Sequence, residues 1–372
     1  MKNWIALNMT PGIGPRAVTV LLERFGSPEA VFNATRRELQ SVRLIPAAID
    51  SIIEHEFEAL AEKELHRTQQ LGGAILTLDD PDYPDLLKEI SDPPPVIYVL
   101  GEWKSCFDSP GVGVVGSRRA STYGENAAFS LSQELGRLGV CIVSGLARGI
   151  DTAAHRGALA GNGKTVAVMG TGLDSVYPRE NSRLVEEILK NGGAVITQFP
   201  FGTPPLKDNF PYRNRMISGI SHALVVVEAT ERSGSLITAR LAMEQNREVM
   251  AVPGNITSRN SFGTNYLIKS GAKLIQQGQD VLAELPRDLV ANLLTNVGEN
   301  NPTTVEPNQS FSKEVVLVLR HLGTDNDKSI DDLVEETGLR AEIVSSAILE
   351  LEIAGAVRTH AGSRYSRSLG AN

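Results

Sequence analysis

Residues 209–240, NFPYRNRMISGISHALVVVEATERSGSLITAR, hold the groups of this chain best suited to gripping phosphate. Arg213 and Arg215 precede a polar helix start, the apolar strand core Ala223–Val227 follows, and Ser233-Gly234-Ser235 opens another helix. A helix N-terminus leaves backbone N–H groups without partners, and small residues let a ligand reach them, which makes an anion seat. Guanidinium groups beside the seat offer planar, paired donors that match phosphate oxygens, and two of them suit more than one phosphate.

Three further turns carry similar chemistry. Gly116-Ser117-Arg118-Arg119 combines a glycine exit, a hydroxyl and a guanidinium fork. Ser144–Asp151 contains Gly145, Arg148 and Gly149, with Asp151 placed to cap the next helix and His155 expected to pack one turn later. The stretch Phe199–Arg215 reads as a long loop holding Lys207, Asn209, Phe210, Arg213 and Arg215, and loops of that length inside compact domains are usually functional. Phe210 is either a platform on which a base stacks or a buried anchor beneath the loop. The binding set expected from these turns is Gly116, Ser117, Arg118, Arg148, Lys207, Asn209, Phe210, Arg213, Arg215, Ser233, Gly234 and Ser235.

A catalytic set is not evident. HExxH, HxxxH and CxxC patterns are missing, so no metal is expected. ALAGNGKT at 158–165 approaches a phosphate loop, but Ala158 replaces its first glycine and the stretch leads into a strand. Ser117 and Ser235 lack a histidine base, and Glu228 ends a strand, where a lone acid is usually structural. The expectation is binding without catalysis, cofactor or metal.

These turns need a scaffold that brings them to one edge. From Val112 onward, short apolar strands alternate with amphipathic helices: Val112–Gly116, Cys141–Gly145, Thr165–Gly170, Ala194–Phe199, Ala223–Ala229 and Val249–Val252. That alternation predicts an α/β, Rossmann-like, doubly wound parallel sheet, whose ligands sit beyond the carboxyl ends of the strands. Before it, residues 1–75 read as a helical domain with a helix-hairpin-helix turn at Gly12-Ile13-Gly14 and a weaker copy at Leu44–Ile53. Residues 76–286 form the extended sheet domain, and the polar stretch 287–310 reads as a linker. Residues 311–372 give three helices and a hairpin, the winged-helix pattern.

Charge distribution supports the binding reading. The 372 residues sum to −8, yet residues 108–278 alone carry 18 Lys/Arg against 13 Asp/Glu. Residues 1–107 have the opposite balance, 10 against 16. One basic domain inside an acidic chain suits a polyanion. Two cysteines, no evident signal peptide and no apolar run near ~20 residues predict a reducing, cytoplasmic setting away from membranes.

The motifs VVGSRRASTYG at 114–124, VSGLARGIDTAAHRGAL at 143–159, AVMGTGLDSVYPREN at 167–181 and the stretches 209–242 and 247–275 together resemble the DNA-processing protein A family (DprA, also called Smf) of bacterial natural transformation. The resemblance covers about half the chain, including the whole basic domain; the N-terminal helices look like that family's sterile-alpha-motif-like (SAM-like) domain and the tail like its winged helix. It implies binding and protection of single-stranded DNA without strong sequence preference, and delivery of RecA recombinase onto the strand. It also implies that Arg118, Lys207 and Phe210 line the DNA pocket, and that a homodimer forms through the end of the Rossmann domain, here Asn265–Leu274.

Two other readings use the same scaffold. Nucleoside-monophosphate phosphoribohydrolases carry PGGxGTxxE after the equivalent strand; here SGSLIT stands there and the acid would fall on Thr238, which removes the expected carboxylate. A duplex-reading winged helix would use Arg340–Gly355, but that helix carries Glu342, Glu350 and Glu352 against one arginine and would repel phosphates, so a protein-contact role fits better.

Overall fold

The computed structural model describes residues 1–291, 293, 311–360 and 362–368. Nine strands form the main sheet: β1 (Ala74–Thr77), β2 (Val96–Gly101), β3 (Gly111–Val115), β4 (Cys141–Ser144), β5 (Thr165–Val168), β6 (Ala194–Thr197), β7 (Ala223–Val226), β8 (Glu248–Ala251) and β9 (Lys273–Leu274). Their spatial order is β1-β2-β6-β5-β4-β3-β7-β8-β9. Strands β3 to β9 pair parallel with one another, whereas β1–β2 and β2–β6 pair antiparallel. Strands β3 to β7 are buried on both faces, which explains their continuous Val, Ile and Ala runs. The chain winds one way from β3 through β6 and the other way from β7, so the loops after β3 and β7 diverge across a topological switch point.

The doubly wound expectation holds, with additions at both ends of the sheet. Strand β1 straddles the expected helical boundary at residue 75; a four-residue apolar run carries no period that separates strand from helix. Asn209–Gly219 is a helix, not the end of a long loop, so both arginines of the RNR motif lie inside it. Pro211 occupies the third helical position, where its missing N–H had no intrahelical partner to lose. The expected linker begins too early, because 287–291 are helical and Leu293 is buried in the sheet's core. Residues 294–310 of that linker lie outside the described residues.

The N-terminal helices do not stand apart. Trp4, Leu7, Val18 and Leu21 share one core with Ile75, Val96 and Tyr98 of β1 and β2. Helices Lys2–Met9 and Pro15–Phe25 are joined by a turn in which Gly12 takes φ +83° against Ile45, which lies in the second hairpin copy. The C-terminal module consists of helices Lys313–His321, Ile330–Thr337 and Ala341–Ile353 with strands β10 (Lys328–Ser329), β11 (Val357–His360) and β12 (Arg364–Arg367). Ser329 and Asp332 form a capping box and Gly338 ends that helix in the left-handed region.

The module is held on helix Thr122–Arg137. Arg358 donates to the Glu125 carbonyl at 3.1 Å and to Asn126 Oδ1 at 2.8 Å, and its guanidinium lies 4.0 Å from the Phe129 ring centroid. Asn126 Nδ2 in turn donates to the Thr324 carbonyl and to Ser366 Oγ, both at 3.0 Å. On its other flank the same helix packs against Ile150–Ala160, where Gly157 meets the Phe129 carbonyl so closely that a Cβ would collide with backbone. Both helices start from site loops, so this contact fixes the loops after β3 and β4 relative to each other. Gly157→Ala is expected to lower unfolding free energy by about 1–3 kcal/mol, the usual cost of overpacking, as measured by urea denaturation.

Candidate nucleic-acid interface

At the switch point a cavity of about 560 Å³ opens between the loops after β3, β4 and β7 and the start of helix Asn209–Gly219. Gly116, Ser117, Arg118, Lys207, Phe210, Arg213, Ser233, Gly234 and Ser235 all line it. Residues from four separate turns therefore meet at one edge of the sheet.

Arg213 is the innermost cation, 3% exposed. Its Nη1 stands 3.9 Å from Asp151 Oδ2, its guanidinium is 5.8 Å from the Phe210 centroid, and its Nε is buried without a partner. Burial pulls its pKa down to about 10, with Asp151 opposing and Arg118 adding to the fall, so it stays charged at neutral pH. The space it fills exists because residue 145 is glycine; a Cβ there would overlap the guanidinium. Asp151 does not cap its helix. Gly149, at φ 70°, holds the N-cap, and Asp151 reaches back to the Ala147 amide at 3.3 Å; burial raises its pKa, opposed by Arg213 and the loop amides.

Arg118 is exposed and stacks its guanidinium 5.0 Å from the Phe210 centroid. It has no ion pair among the described residues, which leaves its charge available. Phe210 is half-buried and neighbours Tyr177, with ring centroids 5.8 Å apart. It is one layer of an arginine–aromatic stack. Lys207 is exposed on the loop before the helix. Ser117 is buried and braces its own loop, its Oγ accepting from the Arg119 amide at 3.1 Å. Ser233 caps helix Gly234–Glu244 by accepting from the Ser235 amide at 3.3 Å, and nothing crowds the Cα of Gly234.

Three expected residues do not line this cavity. Arg148 forms a two-pronged pair with Glu180, both bonds 2.7 Å, and borders an adjoining smaller cavity together with Arg118, Phe210, Arg213 and Tyr177. Asn209 is buried and clasps the Gly170 and Pro204 carbonyls at 3.1 and 3.2 Å. Arg215 is bound to Asp92 at 2.6 Å and Gln198 Oε1 at 3.0 Å, facing a different cavity. The sequence reading also missed lining residues, notably Thr230 and Asn260. Asn260 follows β8, and the strand-end rule that selected the other turns would have selected it too.

Glu228, at the end of β7, is a clamp. It accepts from the Ser121 amide at 2.9 Å, from the Ser121 hydroxyl, and from Asn260 at 3.2 Å, while Asn260 also donates to the Arg119 carbonyl. Burial raises its pKa and these donors oppose the rise. The loops after β3, β7 and β8 are thereby tied around one carboxylate. Among the described residues no group of three or more His, Cys, Asp or Glu could hold a metal ion.

The family model for DNA recombination-mediator protein A matches residues 74–286, and that for the DprA winged helix domain matches residues 306–363. The chain belongs to the DNA recombination-mediator protein A family. It is 36% identical to Protein Smf of Synechocystis over 98% of both chains, and 48% identical to DNA processing protein DprA of Streptococcus pneumoniae over 56% of this chain and 72% of that one. The crystal structure of Streptococcus pneumoniae DprA matches with a TM-score of 0.68 at 37% identity, covering 77% of this chain and 98% of that one. DprA of Helicobacter pylori, a structure described for its single-stranded DNA binding mode, matches with a TM-score of 0.51 at 29% identity, covering 60% and 96%.

Arg213 has a further effect on His155. This histidine is buried, with Nδ1 2.7 Å from Thr165 Oγ1. That hydroxyl donates to the Ile142 carbonyl, so Nδ1 must carry the proton that bonds to it. Burial, aided by Arg213, drives the His155 pKa down to about 3. The unfolded chain takes up this proton near pH 6.5 and the folded chain does not, so the contribution to stability is full above pH 6.5 and is lost as pH falls towards 3. The expected slope is up to ~1.4 kcal/mol per pH unit in that window. Urea denaturation at a series of pH values should show a shallower acid loss for His155→Gln than for the natural chain.

Proposed function

We propose that this chain binds single-stranded DNA without strong sequence preference, shields it, and delivers RecA recombinase onto it during DNA uptake. The observation that carries the reading is the cluster of Arg118, Lys207 and Arg213 around Phe210, beside the Ser233–Ser235 helix start, on one sheet edge. Cations answer phosphates, and an aromatic layer answers bases of any identity. The single-stranded DNA named for the Helicobacter pylori relative and the transformation role implied by the family support it. RecA as partner rests on the family resemblance.

A homodimer through the end of the Rossmann domain belongs to the same proposal. Helix Phe262–Lys269 turns Phe262 and Tyr266 to solvent, 52% and 59% exposed, beside Met243 and the edge strand β9. Exposed aromatic and sulfur side chains next to an unpaired strand edge suit a second copy of the same surface. The phosphoribohydrolase reading gains no support. Thr238 is buried, its hydroxyl donates to the Gly234 carbonyl, and the one carboxylate lining the cavity, Asp151, faces Arg213 and the loop amides.

Titration of unpaired against duplex oligonucleotides at several ionic strengths tests the reading directly; equal affinity for both would overturn it. Arg118→Ala should weaken single-strand binding across all sequences and make the salt slope shallower by about 0.7, one phosphate contact's worth. Phe210→Ala should cost roughly 1–3 kcal/mol of affinity with the salt slope nearly kept. Because Arg118 rests on Phe210, the double variant should lose less than the two single losses combined, measured as a mutant cycle in the same assay.

A further inference from the structure

Helix Asn209–Gly219 presents two arginine–aromatic pairs on adjoining faces. Phe210 and Arg213 face the switch-point cavity. Two residues along, Tyr212 and Arg215 repeat the arrangement, the guanidinium 5.5 Å from the ring centroid, and face a second cavity of about 700 Å³. Its opposite wall is the N-terminal helical domain, at the Gly14–Ala17 end of helix Pro15–Phe25.

The chemistry of this groove suits a polyanion with bases. Tyr212 is 53% exposed, so one face of its ring is available to a ligand. Arg215 beneath it is buried, and its Nε has no partner although its other nitrogens bind Asp92 and Gln198. That bond neutralises Asp92, the acid in the groove's lining. Arg16 stands exposed on the facing wall and has no ion pair among the described residues. It follows a glycine turn and a helix start without a side-chain cap. Asn8 reaches across to the Gln198 carbonyl, and the shared core beneath fixes the width of the groove.

We infer that this groove is a second subsite for single-stranded DNA. A strand leaving the Phe210 cavity passes the exposed Pro211 edge of the helix, stacks a base on Tyr212 and sets a phosphate against Arg16. A helix is about 10–12 Å across with its side chains, a span that a few nucleotides bridge. The N-terminal domain thereby contacts DNA although its overall charge is negative, because only this wall of it faces the strand.

The inference rests on the single-strand reading of the main cavity, and oligonucleotide length separates the two. Fluorescence anisotropy with unpaired thymidine oligomers of about 4 and about 20 nucleotides, a range spanning typical single-strand site sizes, is the test. Tyr212→Ala should lower affinity for the long oligomer about 5- to 150-fold, the equivalent of one lost stack, and leave the short one unchanged. Tyr212→Phe should restore the long-oligomer affinity. Arg16→Ala should make the salt slope for the long oligomer alone shallower by about 0.7. Equal losses at both lengths, or no loss at either, would overturn the second subsite while leaving the main cavity's function intact. A natural chain that binds neither oligomer removes both readings together. Tyr212 and Arg16 are exposed, so unchanged thermal midpoints are expected for all three variants.

Discussion

A guanidinium buried where the central strands end dictates much of its surroundings. Removing such a charge from water costs several kcal/mol unless neighbours compensate. Arg213 receives only part of that compensation: Asp151 stands 3.9 Å away, just within ion-pair range, and Nε has no partner. The remaining attraction is directed at whatever enters the cavity, so an anion there meets a donor that is already desolvated and fixed in place. Several nearby choices follow from the same charge. Residue 145 has to be glycine to leave room, His155 is held neutral, and Asp151 is kept beside the cation by the amides of the β4 loop.

A second buried charge stabilises the loops around the first. Glu228 gathers donors from Ser121 and Asn260, and through Asn260 reaches the carbonyl of Arg119. Arg118 therefore projects from a turn held on both sides, which reduces the entropy lost when it closes on a phosphate. The helix that starts at Thr122 is gripped again by Arg358 of the winged helix. The loop that offers the most exposed arginine of the site is thus braced by the sheet at one end, and by the C-terminal module along the helix that follows.

The sequence disclosed the scaffold and most of the rim because both depend on local pattern. Alternating apolar strands and amphipathic helices are periodic, and glycine-serine-arginine turns at strand ends are compositional. Pairing across the chain was not legible. Arg215 and Arg148 look identical in kind to Arg213 and Arg118, but their fates depend on Asp92 and Glu180, residues 123 and 32 positions away. The stretch read as a long loop up to Arg215 turns helical at Asn209, with Pro211 in the first turn, where it is harmless. The edge strand β9, two residues long, was too short to show any period.

The acidic net charge of −8 and a cationic rim are compatible because electrostatic attraction at short range follows local geometry. Beyond about 8–10 Å at physiological salt, the surplus carboxylates of the terminal domains are largely screened from an anion in the cavity. The nearest acids are already committed, Asp151 of the lining to Arg213 and the loop amides, and Glu228 after β7 to Ser121 and Asn260. The rest of the lining is arginine, lysine, hydroxyl, amide and aromatic surface, a composition suited to gripping phosphate.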